Sequence, residues 1–152
     1  MFYTDLQKNE MMALFERILS EQEVEQIRSN LQIMTLTELR GIAQENIERI
    51  ISTKLLQLGI APHMLGYRYL CCIIFDTLGS PDTIQDMAHN CYIELGKRFN
   101  KSPLSVERAI RLAISNAWDN NGEIHGLTQT KYRPTNREFI SMVAEKIRLK
   151  YF

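Results

Sequence analysis

The sequence predicts an all-α protein: a compact helical bundle containing a helix-turn-helix, preceded by an N-terminal helical extension. Three observations predict it. Apolar residues recur every three or four positions along most of the chain, which gathers them on one side of a helix. Helix-start signals recur as well: Ser20 with Glu23, Thr35 with Glu38, Ser80 before Pro81 and Ser102 before Pro103. No segment alternates with period two for long enough to make a strand.

In chain order, the first fifty residues read as two or three helices, opened by the two capping boxes. Leu39, Ile42, Ile47, Ile50, Ile51, Leu55 and Leu58 step by threes and fours, giving a helix with one buried stripe that Gly59 ends and Pro62 keeps from resuming. Residues 64 to 78 are apolar on nearly every side and predict the central, most buried helix, closed by Gly79. Ser80 and Pro81 start the next helix, with Ile84, Met87, Ala88, Cys91, Tyr92 and Leu95 inward. Another runs from Pro103 through Val106, Ala109, Ile110, Ala113, Ala117 and Trp118, ending near Asn120 to Gly122. After a polar loop from Asp119 to Arg133, Pro134, Thr135 and Glu138 open a last helix with Phe139, Met142, Val143, Ile147 and Leu149 facing inward. We divide the chain into an acidic helical extension, residues 1–45, and a helix-turn-helix domain, residues 46–152.

At 152 residues with 45% apolar and 24% charged residues, the composition is that of an ordinary globular chain and excludes a wholly disordered or low-complexity polymer. The apolar run Leu70 to Phe75 is far shorter than the roughly 18 to 20 residues a membrane span needs, and no basic-then-apolar leader opens the chain, so a cytoplasmic protein with no membrane partner is expected. Three cysteines, two of them adjacent as Cys71 and Cys72, predict reduced thiols in the core rather than disulfides. Eighteen basic residues balance eighteen acidic ones, but from Lys97 onward there are eleven against five, an excess suited to a polyanion.

The stretch from Tyr92 to Ile114 fits a helix-turn-helix position by position. Gly96 is the small residue where the second helix crosses closely, Phe99 anchors the end of the first helix, and Asn100 takes the left-handed conformation of the turn. Ser105, Arg108, Leu112 and Ser115 form one outer ridge of the second helix, with Arg111 beside it. A guanidinium there can bond guanine O6 and N7 together, while a serine or an apolar side chain meets other base edges or a thymine methyl. Candidate phosphate contacts are Lys97, Arg98, Lys101 and Ser102 around the helix start, with Lys131 and Arg133 in the loop. The competing reading of Arg108 is an ion pair on a solvated helix, with Glu107 or Glu94 as partner.

The strings IAPHMLGYRYL at 60–70, LGKRFNKSPLSVERAIRLAI at 95–114, Trp118, and RPTNREFISMVAEKIRLK at 133–150 are long and specific. The segment from Ile47 to Lys150 resembles the C-terminal DNA-binding effector domain of the sporulation master response regulator of endospore-forming bacteria. The resemblance implies about six helices and double-stranded DNA as partner, read at boxes of the TGTCGAA type to activate or repress transcription. It also implies tandem head-to-tail copies on DNA; a homodimer or tandem dimer, and contact with RNA polymerase or with a full-length regulator, are the partner expectations. By position, VERAIR places the family's base-contacting glutamate and arginine on Glu107 and Arg108, with Arg111 close by.

Two departures stand out. Where the family usually has an arginine before VER and a histidine after AIR, this chain has Ser105 and Leu112. Upstream, fifty helical residues cannot build a receiver's doubly wound sheet, so a receiver domain is not expected in this chain; the extension is expected to pair subunits or to shield the basic face. An alternative function is therefore an interaction module that pairs with or antagonises a full-length regulator without strong DNA binding of its own. An enzyme is not expected: His63, His89 and His125 are widely spaced, and HExxH, paired CxxC, phosphate-loop and GxSxG patterns are missing. The nearest approach to a metal site, His89 with Cys91 and Cys71 or Cys72, reads as packing, so no metal or cofactor is expected. Trp118 and Tyr92 are expected to pack inward, and His125 to be merely solvated.

Overall fold

The computed structural model describes residues 5–31, 33–80, 90–120 and 122–152. Seven α-helices appear among the described residues: α1 (Asp5–Ile18), α2 (Glu21–Asn30), α3 (Leu36–Gln57), α4 (Leu65–Gly79), α5 (Tyr92–Phe99), α6 (Pro103–Asn120) and α7 (Asn136–Tyr151). A 3-10 turn, Glu123–Gly126, separates α6 from α7, and no strand occurs among the described residues. The expected helix start at Pro81, with Ile84, Met87 and Ala88, lies outside the described residues.

The helix starts follow their local chemistry. In α2 the Ser20 side chain accepts from the Glu23 backbone and the Ser20 N–H donates back to Glu23 at 2.9 Å; α3 repeats this with Thr35 and Glu38, and α7 with Thr135 and Glu138. The Ser20 hydroxyl and then its N–H hold Glu23 below the ordinary carboxylate range, and the Thr35 N–H and hydroxyl do the same for Glu38. Because both folded values are depressed, the stability these carboxylates add is present above their unfolded values and is lost as pH falls through the folded ones. In an NMR pH titration we expect Glu23 and Glu38 both to titrate below the ordinary carboxylate range; titration of both within that range would refute the caps.

Helix α3 stops in the way the sequence requires. Gly59 has φ 88°, Ile60 N–H donates to the Leu55 carbonyl at 3.0 Å, and Ile60 and Leu55 are both buried, which completes a Schellman ending.

Two hydrophobic clusters share α3. Its N-terminal part contributes Leu39 and Ala43 to a small core with Met12 and Phe15 of α1 and Val24 and Ile27 of α2. Its C-terminal part contributes Ile51 and Leu55 to the main core, where α4 is central and packs on α3, α6 and α7 through Tyr69, Leu70, Ile73 and Ile74. Buried Thr77 satisfies its hydroxyl on the Ile73 carbonyl at 2.8 Å. One inward expectation is corrected: Leu149 is 77% exposed. It stands two positions beyond Ile147 on α7, about 200° around the helix, and therefore leaves the buried stripe. Among the described residues, no helix is long and apolar enough to cross a membrane.

Candidate nucleic-acid interface

Helices α5 and α6 form the helix-turn-helix. Asn100 sits between them at φ 55°, ψ 51°, the left-handed conformation, and Lys101 N–H reaches back to the Gly96 carbonyl at 2.8 Å. A Cβ on Gly96 would lie 2.4 Å from the Lys101 carbonyl oxygen, so the backbone that needs this glycine is principally the turn rather than the second helix. Phe99 anchors the end of α5 edge-on against Tyr69 at 5.2 Å, with the Arg68 guanidinium over its ring.

The close helix crossing lies elsewhere. On α4, a Cβ at Gly66 would stand 2.2 Å from the Ala109 carbonyl oxygen and 2.7 Å from the Ala113 Cβ, so the backbones of α4 and α6 approach each other directly. This contact seats the inner stripe of α6, Val106, Ile110, Ala113, Ile114 and Ala117, in the main core. At about 100° per residue, Arg108 then projects from the opposite side of the helix.

Arg108 is exposed and, among the described residues, has no carboxylate partner. Both candidate partners are engaged elsewhere: Glu107 holds Arg111 at 2.8 Å and Glu94 holds Lys97 at 3.6 Å. That spacing is the helical one, since residues four or three apart share a face and adjacent residues do not. Leu112 and Leu104 are 62% and 54% exposed on the same side of α6. Ser102 is the N-cap: its oxygen accepts from Ser105 N–H at 3.1 Å and lies 2.8 Å from the Ser105 hydroxyl.

The cations divide into two sets. Lys101 and Lys131 are exposed and unpaired among the described residues. Arg133 comes to α6, donating to the Ser115 hydroxyl. Arg98 instead lines a pocket with Cys72 and Asp76 of α4, where its charge acts against the burial that raises both of them. An open groove of about 630 Å³ runs between the starts of α6 and α7, lined by Leu104, Glu107, Arg111, Arg133 and Arg137 among others.

A family model described as Sporulation initiation factor Spo0A C terminal matches residues 51–147. The chain belongs to that family. The match runs from the C-terminal part of α3 into α7 and takes in the whole helix-turn-helix, while α1, α2 and the start of α3 lie outside it. Spo0A C-terminal domains are DNA-binding effector domains of transcription regulation in sporulation, not an enzyme family.

Within this Spo0A C-terminal domain, two further expectations are corrected or refined. His125 is not merely solvated: its ring lies 3.7 Å from the Trp118 ring, centroid to centroid, and its Nε2 is 2.9 Å from the Trp118 carbonyl oxygen. Buried Ile124 pulls the 3-10 turn down onto the end of α6 and carries His125 with it. Cys71 and Cys72 are half-buried thiols outside any disulfide; burial pushes Cys71 up to about 11 and raises Cys72, so neither is a thiolate near neutral pH. Among the described residues no group of three His, Cys, Asp or Glu could hold a metal, and His89 lies outside them.

Sequence reading missed Leu104, Arg137 and Asn136. Leu104 and Arg137 follow Pro103 and Asn136 at helix starts and could have been found as outward first-turn positions. Asn136 could not, because its partners, Tyr92 and Glu107, are 44 and 29 residues away.

Proposed function

We propose that this chain is a sequence-specific DNA-binding transcriptional regulator that lays α6 in the major groove. The observation that carries this reading is Arg108, outward and unpaired on the second helix of a helix-turn-helix with a left-handed turn at Asn100. In this reading Arg108 bonds guanine O6 and N7, Leu112 meets a thymine methyl, and Ser105, Glu107 and Arg111 contact neighbouring bases, Glu107 and Arg111 after exchanging each other for DNA. Lys97, Arg98, Lys101, Ser102, Lys131 and Arg133 contact phosphates. Residues 1–45 act as an extension that pairs subunits or shields the basic face, and residues 46–152 as the effector; the division falls inside α3, between its two hydrophobic clusters.

Fluorescence anisotropy against a TGTCGAA-containing duplex and a scrambled control, at two salt concentrations, tests this. Tighter binding of the box and a steep loss of affinity with salt are expected, because each neutralised phosphate releases counterions. Replacing Lys101 by alanine should weaken both duplexes alike and reduce the salt slope by about 1. A loss confined to the box would remove Lys101 from the phosphate contacts.

Exposed Leu104 and Leu112, together with Ser105 engaged by Ser102, favour a second reading: an interaction module that pairs with or antagonises a full-length regulator. Binding to either duplex that is absent or indifferent to salt would decide for it.

A further inference from the structure

Three elements of the helix-turn-helix domain meet at one side chain. Asn136, the first residue of α7, donates from Nδ2 to the Tyr92 hydroxyl of α5 at 3.1 Å and to the Glu107 backbone carbonyl of α6 at 3.1 Å. A backbone carbonyl only accepts, so it fixes which end of the amide faces α6, and both N–H groups of that end are used. The Asn136 side chain is partly buried and Tyr92 is nearly fully buried, so water competes poorly for these bonds. Thr135, one residue earlier, caps α7 with Glu138 through bonds that do not involve the Asn136 amide.

The carbonyl that Asn136 holds belongs to the residue immediately before Arg108. A shift of α6 by rotation or sliding against α5 and α7 has to break that bond, and the same shift would carry Arg108 off a base edge. Phosphate contacts tolerate such a shift better, because a flexible lysine follows a phosphate, whereas a planar guanidinium must meet O6 and N7 together.

We infer that Asn136 is a positioning residue for base reading: its amide latches α6 to α5 and α7 through Tyr92 and the Glu107 carbonyl, and so sets the angle at which Arg108 leaves the scaffold. The inference rests on the DNA-reading function proposed above. An asparagine is needed rather than a residue of its size, because aspartate offers no N–H and would turn a carboxylate oxygen toward the Glu107 carbonyl.

The test uses the full chain. Affinity for the TGTCGAA duplex and the scrambled duplex is measured by anisotropy for the wild type, Asn136→Asp, Asn136→Ala, Tyr92→Phe, the Asn136→Ala/Tyr92→Phe double variant and Thr135→Ala, with thermal unfolding of each. The readout is the ratio of the two affinities, which a smaller folded fraction cannot change because it lowers both equally. Asn136→Asp and Asn136→Ala should reduce the ratio about five- to tenfold, Tyr92→Phe less, and the double variant no further than Asn136→Ala. Thr135→Ala, which loosens the start of the same helix without touching the latch, should leave the ratio unchanged. An unchanged ratio in both Asn136 variants, or an equal fall in Thr135→Ala, overturns the positioning role while leaving the DNA reading intact. A wild type that does not distinguish the two duplexes overturns both.

Discussion

Replacing Arg108 by alanine is expected to weaken sequence discrimination without unfolding the protein. The side chain is exposed, and among the described residues no carboxylate pairs with it, so its truncation opens no cavity and orphans no buried charge. Stability should stay within about 0.5 kcal/mol of the wild type, the range of ordinary surface substitutions. Binding to the TGTCGAA duplex should fall by about 1 to 3 kcal/mol, roughly 5- to 150-fold, because the proposed bidentate guanine contact would be lost, and discrimination should relax at one base pair. Random duplex should lose much less, only what one fewer positive charge costs. Arg111→Ala makes a useful contrast, since Arg111 starts from an ion pair with Glu107 at 2.8 Å and must give that up to reach DNA. Anisotropy on the two duplexes separates the outcomes. Equal losses on both would mean that Arg108 meets a phosphate, and the proposed base reading would fail.

The largest effect on stability is expected at Gly66. A methyl group there would stand 2.2 Å from the Ala109 carbonyl oxygen, which is backbone in the middle of α6 and cannot swing aside as the tip of a long side chain would. Gly66→Ala should therefore force α4 and α6 apart and loosen the packing of Ile73, Ile74, Val106 and Ile110. Overpacking of this kind costs about 3 kcal/mol, and for a chain of this length that lowers the melting temperature by roughly 6 to 12 °C. Gly41 provides the control: it is helical, exposed, and a Cβ would meet nothing within 4 Å. Gly41→Ala should raise stability by about 0.5 to 1 kcal/mol through helix propensity alone. Calorimetry of both variants decides, and a Gly66→Ala protein as stable as the wild type would show that the α4–α6 crossing is looser than described. Because α6 carries Arg108, the Gly66 variant should also lose DNA affinity in its folded fraction.

Much of the fold was legible because its signals are local. Ser20, Thr35 and Thr135 cap helices by bonding a residue three positions on, and Gly59 and Asn100 stop helices by taking backbone conformations that few other residues accept. The outward direction of Arg108 was equally readable, since it follows from the period of Val106, Ile110, Ala113 and Ala117. Leu149 was misread because it falls about 200° around α7 from Ile147 and leaves the buried stripe, which Tyr151 continues. His125 was misread because a polar loop gives no sign that buried Ile124 will press it onto Trp118. Gly96 was read correctly as a close approach, yet the partner is mainly the Lys101 carbonyl of the turn, and the tighter helix contact belongs to Gly66.

By itself, then, the amino-acid order determined that the described segments are helical, where α2, α3, α6 and α7 begin, and which side of α6 faces outward, since all of these depend on residues within about four positions of each other. The tertiary structure decided which cations remain available and what holds α6 in place. Arg111 is taken by Glu107, Arg98 lines one pocket with Cys72 and Asp76, and Asn136 joins α5, α6 and α7. All but the first of these pairings bring together residues more than twenty positions apart, and no local pattern encodes a distance across the core.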